Sequence, residues 1–338
     1  MSTLQQTTTR LIVQVPCRNE RATISAVLTR LARVKGQLET AAHRRNFDLR
    51  FDILVIDDGS HDCTGEEAMN AAWRLGLADH VEVLALPPTG LAGTFNAGIQ
   101  ACLDRGADLI VNIDGDNQHP AERIPDLVEP ILRGSADVVI GQRDFRRASY
   151  GSFYRRSLRR LGAPVVRWSS QTTVEDVTSG FRAYSDSGAR AARVESRCTY
   201  TIEGLVRAGR DRLRIATLGI VAEPPTRPSR LIRSPALFVA KTISTLLRCF
   251  VTFEPTRSWR VISVCGATLL AASSVSAGTA GVAPWVAVLM GILALGISLP
   301  LSVLILAVSS DRRRALPRAP RQSISGYAFA REDQTKLT

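Results

Sequence analysis

The sequence predicts an α/β domain built on a mostly parallel sheet with helices on both faces, followed by a helical hairpin that crosses a membrane. Two observations predict the domain: short, continuous runs of Val, Ile and Leu begin at Leu11, and they alternate along the chain with amphipathic helical patterns. A third observation predicts the hairpin, because residues 261–310 contain no charged side chain.

The predicted elements of the domain follow one another in order. Amphipathic segments at 22–34 and 122–132 are typical of helices that cover a sheet. We expect a doubly wound, Rossmann-like arrangement, in which the site lies at the carboxyl ends of the strands. The predicted strands are 11–15, 51–56, 81–86, 107–113 and 136–141.

The composition is that of a folded protein with anionic partners. The chain has 338 residues, and its 45% hydrophobic content excludes a mostly disordered protein. Its formal net charge is +12. Nucleic acid, anionic lipid headgroups and phosphorylated substrates would all suit the positive charge. The cysteines form no CxxC pair, and residues 1–10 are polar and lack the apolar core of a signal peptide. We therefore expect the N-terminal domain to stay in the cytosol.

The chain changes character beyond the predicted domain, which we place at 11–227. Residues 228–258 combine a basic face with an apolar face. This pattern is typical of juxtamembrane helices in a lipid headgroup layer, although an ordinary helix packed on the domain would also produce it.

Residues 259–310 are predicted to form a two-helix transmembrane hairpin that divides at the Gly- and Pro-containing stretch 278–284. Arginines flank the hairpin and the connecting turn is uncharged, so we expect both termini in the cytosol, with 311–338 as a flexible basic tail. A buried helical pair in a soluble protein is the alternative. Small residues recur in the first span and would let helices approach closely, within the hairpin or between copies in a homo-oligomer.

The motif IDGDNQHP, residues 113–120, ends a predicted strand and carries the clearest chemistry. It places Asp114 and Asp116 at the mouth of the sheet, with Gln118 close behind. Two carboxylates and an amide oxygen are hard ligands suited to Mg²⁺ or Mn²⁺, and such an ion can neutralise a diphosphate leaving group. The sequence therefore predicts a divalent metal site formed by these three residues.

Three further motifs follow predicted strands. VPCRNE spans 15–20, and VIDDGSHDCT spans 55–64; in the latter, Asp57 or Asp58 can accept hydrogen bonds from a base N–H or a ribose hydroxyl, or can simply stabilise a turn. GLAGTFNAG begins at Gly90 and opens a helix, so its backbone could approach a phosphate, although helix packing would also explain the glycines.

Together with VVIGQR at 138–143 and EDVTSGFRAY at 175–184, these motifs resemble the family 2 glycosyltransferases of GT-A fold. The resemblance covers about residues 11–230 and is strongest to the branch of dolichyl-phosphate mannose synthase and bacterial polyprenyl-phosphate glycosyltransferases. It implies inverting transfer of a sugar from a GDP- or UDP-linked donor to a dolichyl or undecaprenyl phosphate. The family usually has Tyr before Asn-Glu, whereas this chain has Arg18, whose guanidinium could stack on the base instead.

The resemblance also implies roles for individual residues. Asp114, Asp116 and Gln118 would organise the metal and the diphosphate, and Asp116 would be essential to catalysis. Asp176 would orient the acceptor, as a base or as a positioning group, while Arg143 and Arg182 would face anionic groups at the reaction centre. The nucleotide sugar would be held by Pro16, Arg18, Glu20, Asp57, Asp58, Gly90, Asp114 and Asp116, and the acceptor phosphate by Arg143, Arg182, Arg227, Arg230 and Arg233. The last three could instead be solvated basic residues beside a bilayer, with no substrate contact.

Three other functions are less consistent with the sequence. A family 2 transferase that acts on a saccharide is the main alternative, but the QxxRW motif of the processive synthases is absent. A membrane scaffold that only binds nucleotide sugars would not need an intact metal motif. A nucleic-acid binder would explain the charge but not the carboxylate motif or the hairpin, so we expect no nucleic-acid partner.

Overall fold

The computed structural model describes residues 8–143, 174–194 and 200–223. Within these ranges the chain forms seven strands and six α-helices, with a short 3₁₀ turn before the fourth helix. The strands are β1 (Thr9–Cys17), β2 (Leu49–Asp58), β3 (Val81–Leu86), β4 (Leu109–Asn112), β5 (Val138–Arg143), β6 (Arg182–Ser185) and β7 (Ile215–Ile220). The helices are α1 (Arg21–His43), α2 (Thr64–Arg74), α3 (Leu91–Asp104), α4 (Ile124–Leu132), α5 (Asp186–Ala192) and α6 (Tyr200–Arg210).

The strands form one mixed sheet in the order β3-β2-β1-β4-β6-β5-β7. All neighbouring pairs are parallel except those of β6, which runs antiparallel to both β4 and β5. The chain winds outward from β1 through β2 to β3 and then returns through α3 to place β4 on the other side of β1. Strand order therefore reverses between β1 and β4, where a ligand crevice is expected in such a sheet.

Helices cover both faces of the sheet. α1, α2 and α4 lie on one face, where α1 contacts the other two, while α3 contacts α5 and α6 on the opposite face. The main apolar core fills the space between the sheet and the first group, because α1 buries a continuous stripe toward the strands. This stripe consists of Ile24, Val27, Leu28, Leu31, Val34, Leu38 and Ala42.

The prediction of an α/β domain with a mostly parallel sheet is confirmed. All five predicted strands are present, and the helix expected at 22–34 extends to His43 because Leu38 and Ala42 continue its buried stripe. β6 and β7 were not predicted.

No helix within the described residues is long and apolar enough to cross a membrane. The segments predicted at 228–258, 259–310 and 311–338 lie outside the described residues.

The sheet order brings the predicted motifs together. Parallel strands end at a common edge, and the loops after β1, β2, β3, β4, β5 and β7 all leave from it, while the antiparallel β6 begins there. We call this side of the sheet the carboxyl edge.

Candidate active site

The loop after β4 contains Asp114 and Asp116 and packs directly against the end of β1. The amide of Gly115 donates to the carbonyl of Pro16 at 3.3 Å, and the hydroxyl of Thr23 in α1 donates to the carbonyl of Gly115 at 2.8 Å. Only glycine fits between the two aspartates, because a Cβ at position 115 would lie 2.5 Å from the Cys17 sulfur. Pro16 is itself buried, so it contributes to this site through its backbone carbonyl.

Asp116 is oriented by Gln118 of the same loop. The Gln118 amide nitrogen donates to Asp116 Oδ2 at 2.7 Å, and the Gln118 backbone N–H donates to Asp116 Oδ1 at 3.1 Å. That Gln118 supplies a third metal ligand stays a prediction; in this structure its amide nitrogen faces the Asp116 carboxylate. Gln118 therefore acts here as a support for Asp116.

Asp114 lies close to the buried side chain of His119 and to Gly180, which also adjoins the buried Tyr200. His119 Nε2 lies 3.3 Å from Asp114 Oδ2, and the imidazole stacks on Phe181 with 5.4 Å between the ring centroids. A Cβ at Gly180 would lie 2.7 Å from the Tyr200 hydroxyl and 3.1 Å from Asp114 Oδ2, so the glycine allows both groups to approach the same backbone segment. Burial and the charge of Asp114 raise the pKa of Tyr200 well above its ordinary value, which keeps the phenol protonated.

Hydrogen bonds of two buried amide side chains fix the segment that contains Gly180. Gln14 in β1 donates to Asn112 in β4 at 2.8 Å, and Asn112 donates to the carbonyl of Gly180 at 2.7 Å. Asn112 also lies 3.4 Å from the Tyr200 hydroxyl. These contacts set the position of the segment before β6 relative to the Asp114 loop.

The electrostatics of this edge suit a divalent cation. Burial raises the pKa of Cys17 well above its ordinary value, and four neighbouring carboxylates, those of Glu20, Asp57, Asp114 and Asp116, raise it further. Asp114 and Asp116 are both partly exposed. Their oxygens are hard ligands that fit Mg²⁺ or Mn²⁺.

The described residues contain no cluster of three or more His, Cys, Asp or Glu side chains that could hold a metal ion. Two carboxylates alone would bind an ion that takes its remaining oxygens from water or from a substrate phosphate, which is the usual way in which Mg²⁺ is held.

The two aspartates after β2 organise the neighbouring loops. Asp57 Oδ1 accepts from the Ser60 amide at 2.9 Å and closes a turn. Asp58 is 4% exposed and accepts from the Thr89 amide at 2.6 Å, the Thr89 hydroxyl at 2.9 Å and the Gly90 amide at 3.1 Å. Asp58 thus fixes the entrance to α3, and the prediction that it accepts hydrogen bonds from a nucleotide does not match this geometry.

Three other predicted nucleotide contacts lie at this edge. Gly90 has φ +78° at the start of α3, and its N–H is directed to Asp58. Arg18 is exposed, with its guanidinium 3.5 Å from Asp58 Oδ2. Glu20 is 9% exposed, and its carboxylate accepts from the Thr23 hydroxyl at 3.3 Å. Of the three, Arg18 reaches furthest into solvent, with 46% of its side chain exposed.

At the end of β5, the half-buried Arg143 forms an ion pair with the fully buried Asp176. Arg143 Nε lies 2.6 Å from Asp176 Oδ2 and Nη2 lies 3.0 Å from Oδ1, and Thr178 donates to the same carboxylate at 2.9 Å. Burial opposes ionisation of Asp176, but the hydrogen bonds and charge of Arg143 outweigh it and lower the pKa of the carboxyl. Asp176 is therefore a fixed anion that positions Arg143, and a role as general base is inconsistent with this geometry.

Arg143 interacts electrostatically with Asp114 and Asp116 on the loop after β4. We call this loop, residues 113–120, the aspartate loop. Burial lowers the pKa of the Arg143 guanidinium, but Asp176 raises it more strongly, and Asp114 and Asp116 raise it further. The described site thus has two partly exposed carboxylates within electrostatic reach of one anchored guanidinium.

Arg182 is not placed to contact a phosphate. It is 1% exposed, and its guanidinium donates to the carbonyls of Ser179, Thr201 and Val177 at 2.8, 2.9 and 3.1 Å. These bonds join the turn before β6 to the start of α6, so the prediction that Arg182 holds the acceptor phosphate is wrong. Arg227, Arg230 and Arg233 lie outside the described residues.

Several residues that build the site were not predicted. His119 lies inside the recognised motif, and its proximity to Asp114 could have been anticipated. Asn112 is a polar residue at the end of an otherwise apolar strand, which is a signal for a buried hydrogen bond. Thr89 had no comparable signal, because its partner Asp58 is distant in sequence.

Comparisons with known proteins agree with this architecture. Residues 12–191 match a family model described as Glycosyl transferase family 2. Glucosyl-3-phosphoglycerate synthase from Mycobacterium tuberculosis, crystallised with Mn²⁺, UDP and phosphoglyceric acid, superposes with a TM-score of 0.51 at 22% identity, covering 71% of this chain and 78% of that chain. The similarity to this synthase shows a shared fold and nothing further.

Curated relatives are more similar in sequence. An undecaprenyl-phosphate mannosyltransferase from Micrococcus luteus is 33% identical over 153 residues, which is 43% of this chain and 59% of that protein. A polyprenol monophosphomannose synthase from Mycolicibacterium smegmatis is 30% identical over 182 residues, which is 52% of this chain and 62% of that protein. The matched region thus spans about three fifths of each of these relatives.

Proposed function

Because the chain belongs to glycosyl transferase family 2, we propose that it transfers a sugar from a nucleotide diphosphate sugar to a polyprenyl phosphate, either dolichyl or undecaprenyl phosphate. The observation that carries the proposal is the charge arrangement at the carboxyl edge. Asp114 and Asp116 are partly exposed there, and the anchored Arg143 lies within electrostatic reach of both. The names of the curated relatives support the class of acceptor.

In this proposal the aspartate loop holds the donor diphosphate through a divalent cation. Asp114 and Asp116 would bind Mg²⁺ or Mn²⁺, which when bound would neutralise charge on the departing diphosphate. Gln118 keeps the Asp116 carboxylate in one orientation, so less conformational freedom is lost when the donor binds.

Arg143 would also stabilise the negative charge that develops on the departing diphosphate. Its guanidinium is fixed by two hydrogen bonds to Asp176 and one to Thr178, and 28% of the side chain is exposed. A cation that is already oriented before the reaction stabilises a transition state without further reorganisation. We therefore assign Arg143 to the diphosphate or to the incoming phosphate, and Asp176 to the positioning of Arg143.

A phosphate acceptor suits a site without a general base. The second pKa of a phosphate monoester is about 6, so most of the acceptor is dianionic at neutral pH and is already nucleophilic. The described residues need only orient the phosphate behind the anomeric carbon and exclude water. Inversion at that carbon would follow from a single displacement. Arg227, Arg230 and Arg233, which follow β7 in sequence, are our candidates for holding the acceptor phosphate.

We also propose that the uncharged segment 261–310 anchors the protein as a hairpin with both termini in the cytosol. Protease-sensitive tags at both ends of the full chain should be cleaved in inverted membrane vesicles and protected in intact cells. Cleavage of a C-terminal tag by protease added outside intact cells would contradict this topology.

The acceptor class can be tested with the purified full chain in detergent. The protein would be incubated with Mn²⁺, a panel of radiolabelled UDP- and GDP-sugars, and either undecaprenyl or dolichyl phosphate, and the label that enters the organic phase would be counted. We include UDP-sugars because a protein of similar fold was crystallised with Mn²⁺ and UDP. We expect transfer from one donor.

The alternative acceptor is tested in the same assay. Label transferred to free saccharides, with none in the lipid phase, would favour a family 2 transferase that acts on a saccharide. Arg230→Ala should weaken the use of lipid phosphate by about tenfold or more, as expected for the loss of a charge-assisted hydrogen bond, without changing donor affinity.

A further inference from the structure

Arg30 in α1 contacts the aspartate loop and two other segments next to it. Its Nη1 donates to Asn117 Oδ1 at 3.1 Å, inside the loop, and to Glu223 Oε1 at 2.9 Å, after β7. Its Nε and Nη2 make a bidentate pair with Glu122 at 2.8 and 2.5 Å. One side chain thus joins the aspartate loop, the 3₁₀ turn that follows it and the segment after β7.

The segment after β7 touches the same loop a second time through its backbone. The Glu223 amide donates to the Gln118 carbonyl at 2.9 Å, and Gln118 in turn donates twice to Asp116. A continuous path of hydrogen bonds therefore runs from Arg30 through Glu223 and Gln118 to the Asp116 carboxylate. We call these residues, with Asn117 and Glu122, the Arg30 clasp.

The clasp holds the loop in an unusual conformation. Asn117 has φ +59°, in the left-handed region that non-glycine residues seldom adopt and that asparagine tolerates better than most. A single hydrogen bond from Arg30 to the Asn117 side chain helps to select this conformation, and the next residue, Gln118, is thereby turned toward Asp116.

The geometry of the clasp requires arginine. Only 15% of the Arg30 side chain is exposed, although its partners Glu122 and Glu223 are 47% and 52% exposed. The planar guanidinium reaches three acceptor groups at once, whereas a lysine ammonium is a compact point charge that cannot reproduce the fork. The hydrogen bond and charge of Glu122 raise the pKa of Arg30, so the clasp stays charged.

We propose that Arg30 is a positioning residue that sets the orientation of Asp116 through Asn117, Gln118 and Glu223. The consequence for the metal rests on the proposed function: groups that orient a metal-binding carboxylate typically change metal affinity 10- to 100-fold when they are replaced. Loss of the clasp should loosen the loop and weaken metal binding while the fold remains intact.

The experiment compares Arg30→Lys and Glu223→Gln in the full chain with two control variants, Arg133→Lys and Glu129→Gln. Glu129 in α4 and Arg133, the residue that follows this helix, form an arginine–glutamate ion pair outside the site, with 2.5 Å between Nη2 and Oε1. Hydrogen exchange of peptides that contain Gln118 and Glu223 would be measured without metal, and Mn²⁺ affinity would be measured by electron paramagnetic resonance.

Both clasp variants should exchange the Gln118 and Glu223 amides about tenfold faster and bind Mn²⁺ about tenfold more weakly, with a melting temperature close to that of the wild type. The control variants should match the wild type in both measurements. Exchange that stays within twofold of the wild type in both clasp variants would overturn the proposal, and so would equal changes in the controls. If the wild type bound no Mn²⁺, the metal role in the proposed function would fail, while faster exchange in the clasp variants would still support the clasp.

Discussion

The aspartates at the carboxyl edge of the sheet fall into two groups, which differ in their burial and in the hydrogen bonds that they accept. Asp58 and Asp176 are 4% and 1% exposed, and each accepts hydrogen bonds from several donors in neighbouring loops. Asp114 and Asp116 are partly exposed on the loop after β4. The first pair therefore shapes the site, and the second pair is the one that we propose to face the ligand.

The ion pair between Asp176 and Arg143 predicts a pH-dependent contribution to stability. Replacing Asp176 by Asn should destabilise the fold at pH 7 by about 3 kcal/mol, because the half-buried Arg143 guanidinium loses its fully buried counter-charge. The pKa of Asp176 in the folded state lies below its value in the unfolded chain. The contribution is therefore present above about pH 4 and is lost as the pH falls through the folded pKa.

Denaturant unfolding of wild type and Asp176→Asn across this pH range would measure the effect. The two proteins should differ most at neutral pH and converge in acid. Asp186→Asn, which removes an exposed partner of Arg190, should change stability by less than about 1 kcal/mol at any pH. If the difference in unfolding free energy between Asp176→Asn and the wild type stayed constant down to pH 2, the pKa of Asp176 would not be lowered by folding.

Arg182 should matter for folding rather than for the acceptor. In Arg182→Met, the carbonyls of Ser179, Thr201 and Val177 lose their donor, and each unsatisfied buried group costs roughly 1–3 kcal/mol. We expect a large loss of stability, measured by thermal unfolding. A stable Arg182→Met protein with normal donor binding and impaired acceptor use would restore the phosphate role.

At the scale of secondary structure, Gly180 joins two elements of the site and predicts a position-specific effect of a single methyl group. In Gly180→Ala the new Cβ would lie 2.7 Å from the Tyr200 hydroxyl and 3.1 Å from Asp114 Oδ2, so one of them must move. We expect transfer activity to fall at least tenfold, with a stability cost of about 1–3 kcal/mol.

The matched control is Gly36→Ala in α1, where a Cβ would meet no atom within 4 Å. This change should leave activity unaltered and stabilise the helix by about 0.5–1 kcal/mol. Equal activity in the two variants would contradict the role of Gly180 in positioning Asp114.

The sequence predicted the long, apolar elements well and the short ones poorly. Runs such as 51–56 are continuous and buried on both faces, so their identity as strands is evident from composition alone. β6 has only four residues and begins with a buried arginine. From sequence alone, such a segment is typical of a polar loop, because the carbonyl groups that bind the arginine cannot be predicted. The antiparallel direction of β6 depends on contacts with β4 and β5 and has no local signal.

The same limit applies to the site. Asp57, Asp58, Asp114 and Asp116 were located correctly at strand ends, because the topology of a doubly wound sheet dictates where loops meet. Their individual contacts were not predictable. Asp58 is satisfied by Thr89, and Asp116 is oriented by a clasp that includes Arg30 and Glu223, so each contact depends on pairs far apart in the chain.

At the scale of the whole molecule, the strand order explains how one edge can combine opposite charges. The Asp114 loop follows β4, and Arg143 ends β5, with the antiparallel β6 between the two strands. Because the turn before β6 carries Asp176, this insertion brings the anchor of Arg143 to the same edge. The fold thus places a carboxylate pair after β4 and a fixed cation at the end of β5, two strands that only β6 separates, as the proposed transfer reaction requires.

The most direct test of the proposed function is the metal-dependent rate of sugar transfer to polyprenyl phosphate in the wild type, Asp116→Asn and a surface control, Asp104→Asn. Asp104 lies at the end of α3 and is paired with Gln100. We expect the wild type and the control to be equally active with Mn²⁺ and inactive in EDTA, and Asp116→Asn to remain folded but to lose activity by about a hundredfold or more. Full activity in EDTA, or near-normal transfer by Asp116→Asn, would contradict the account.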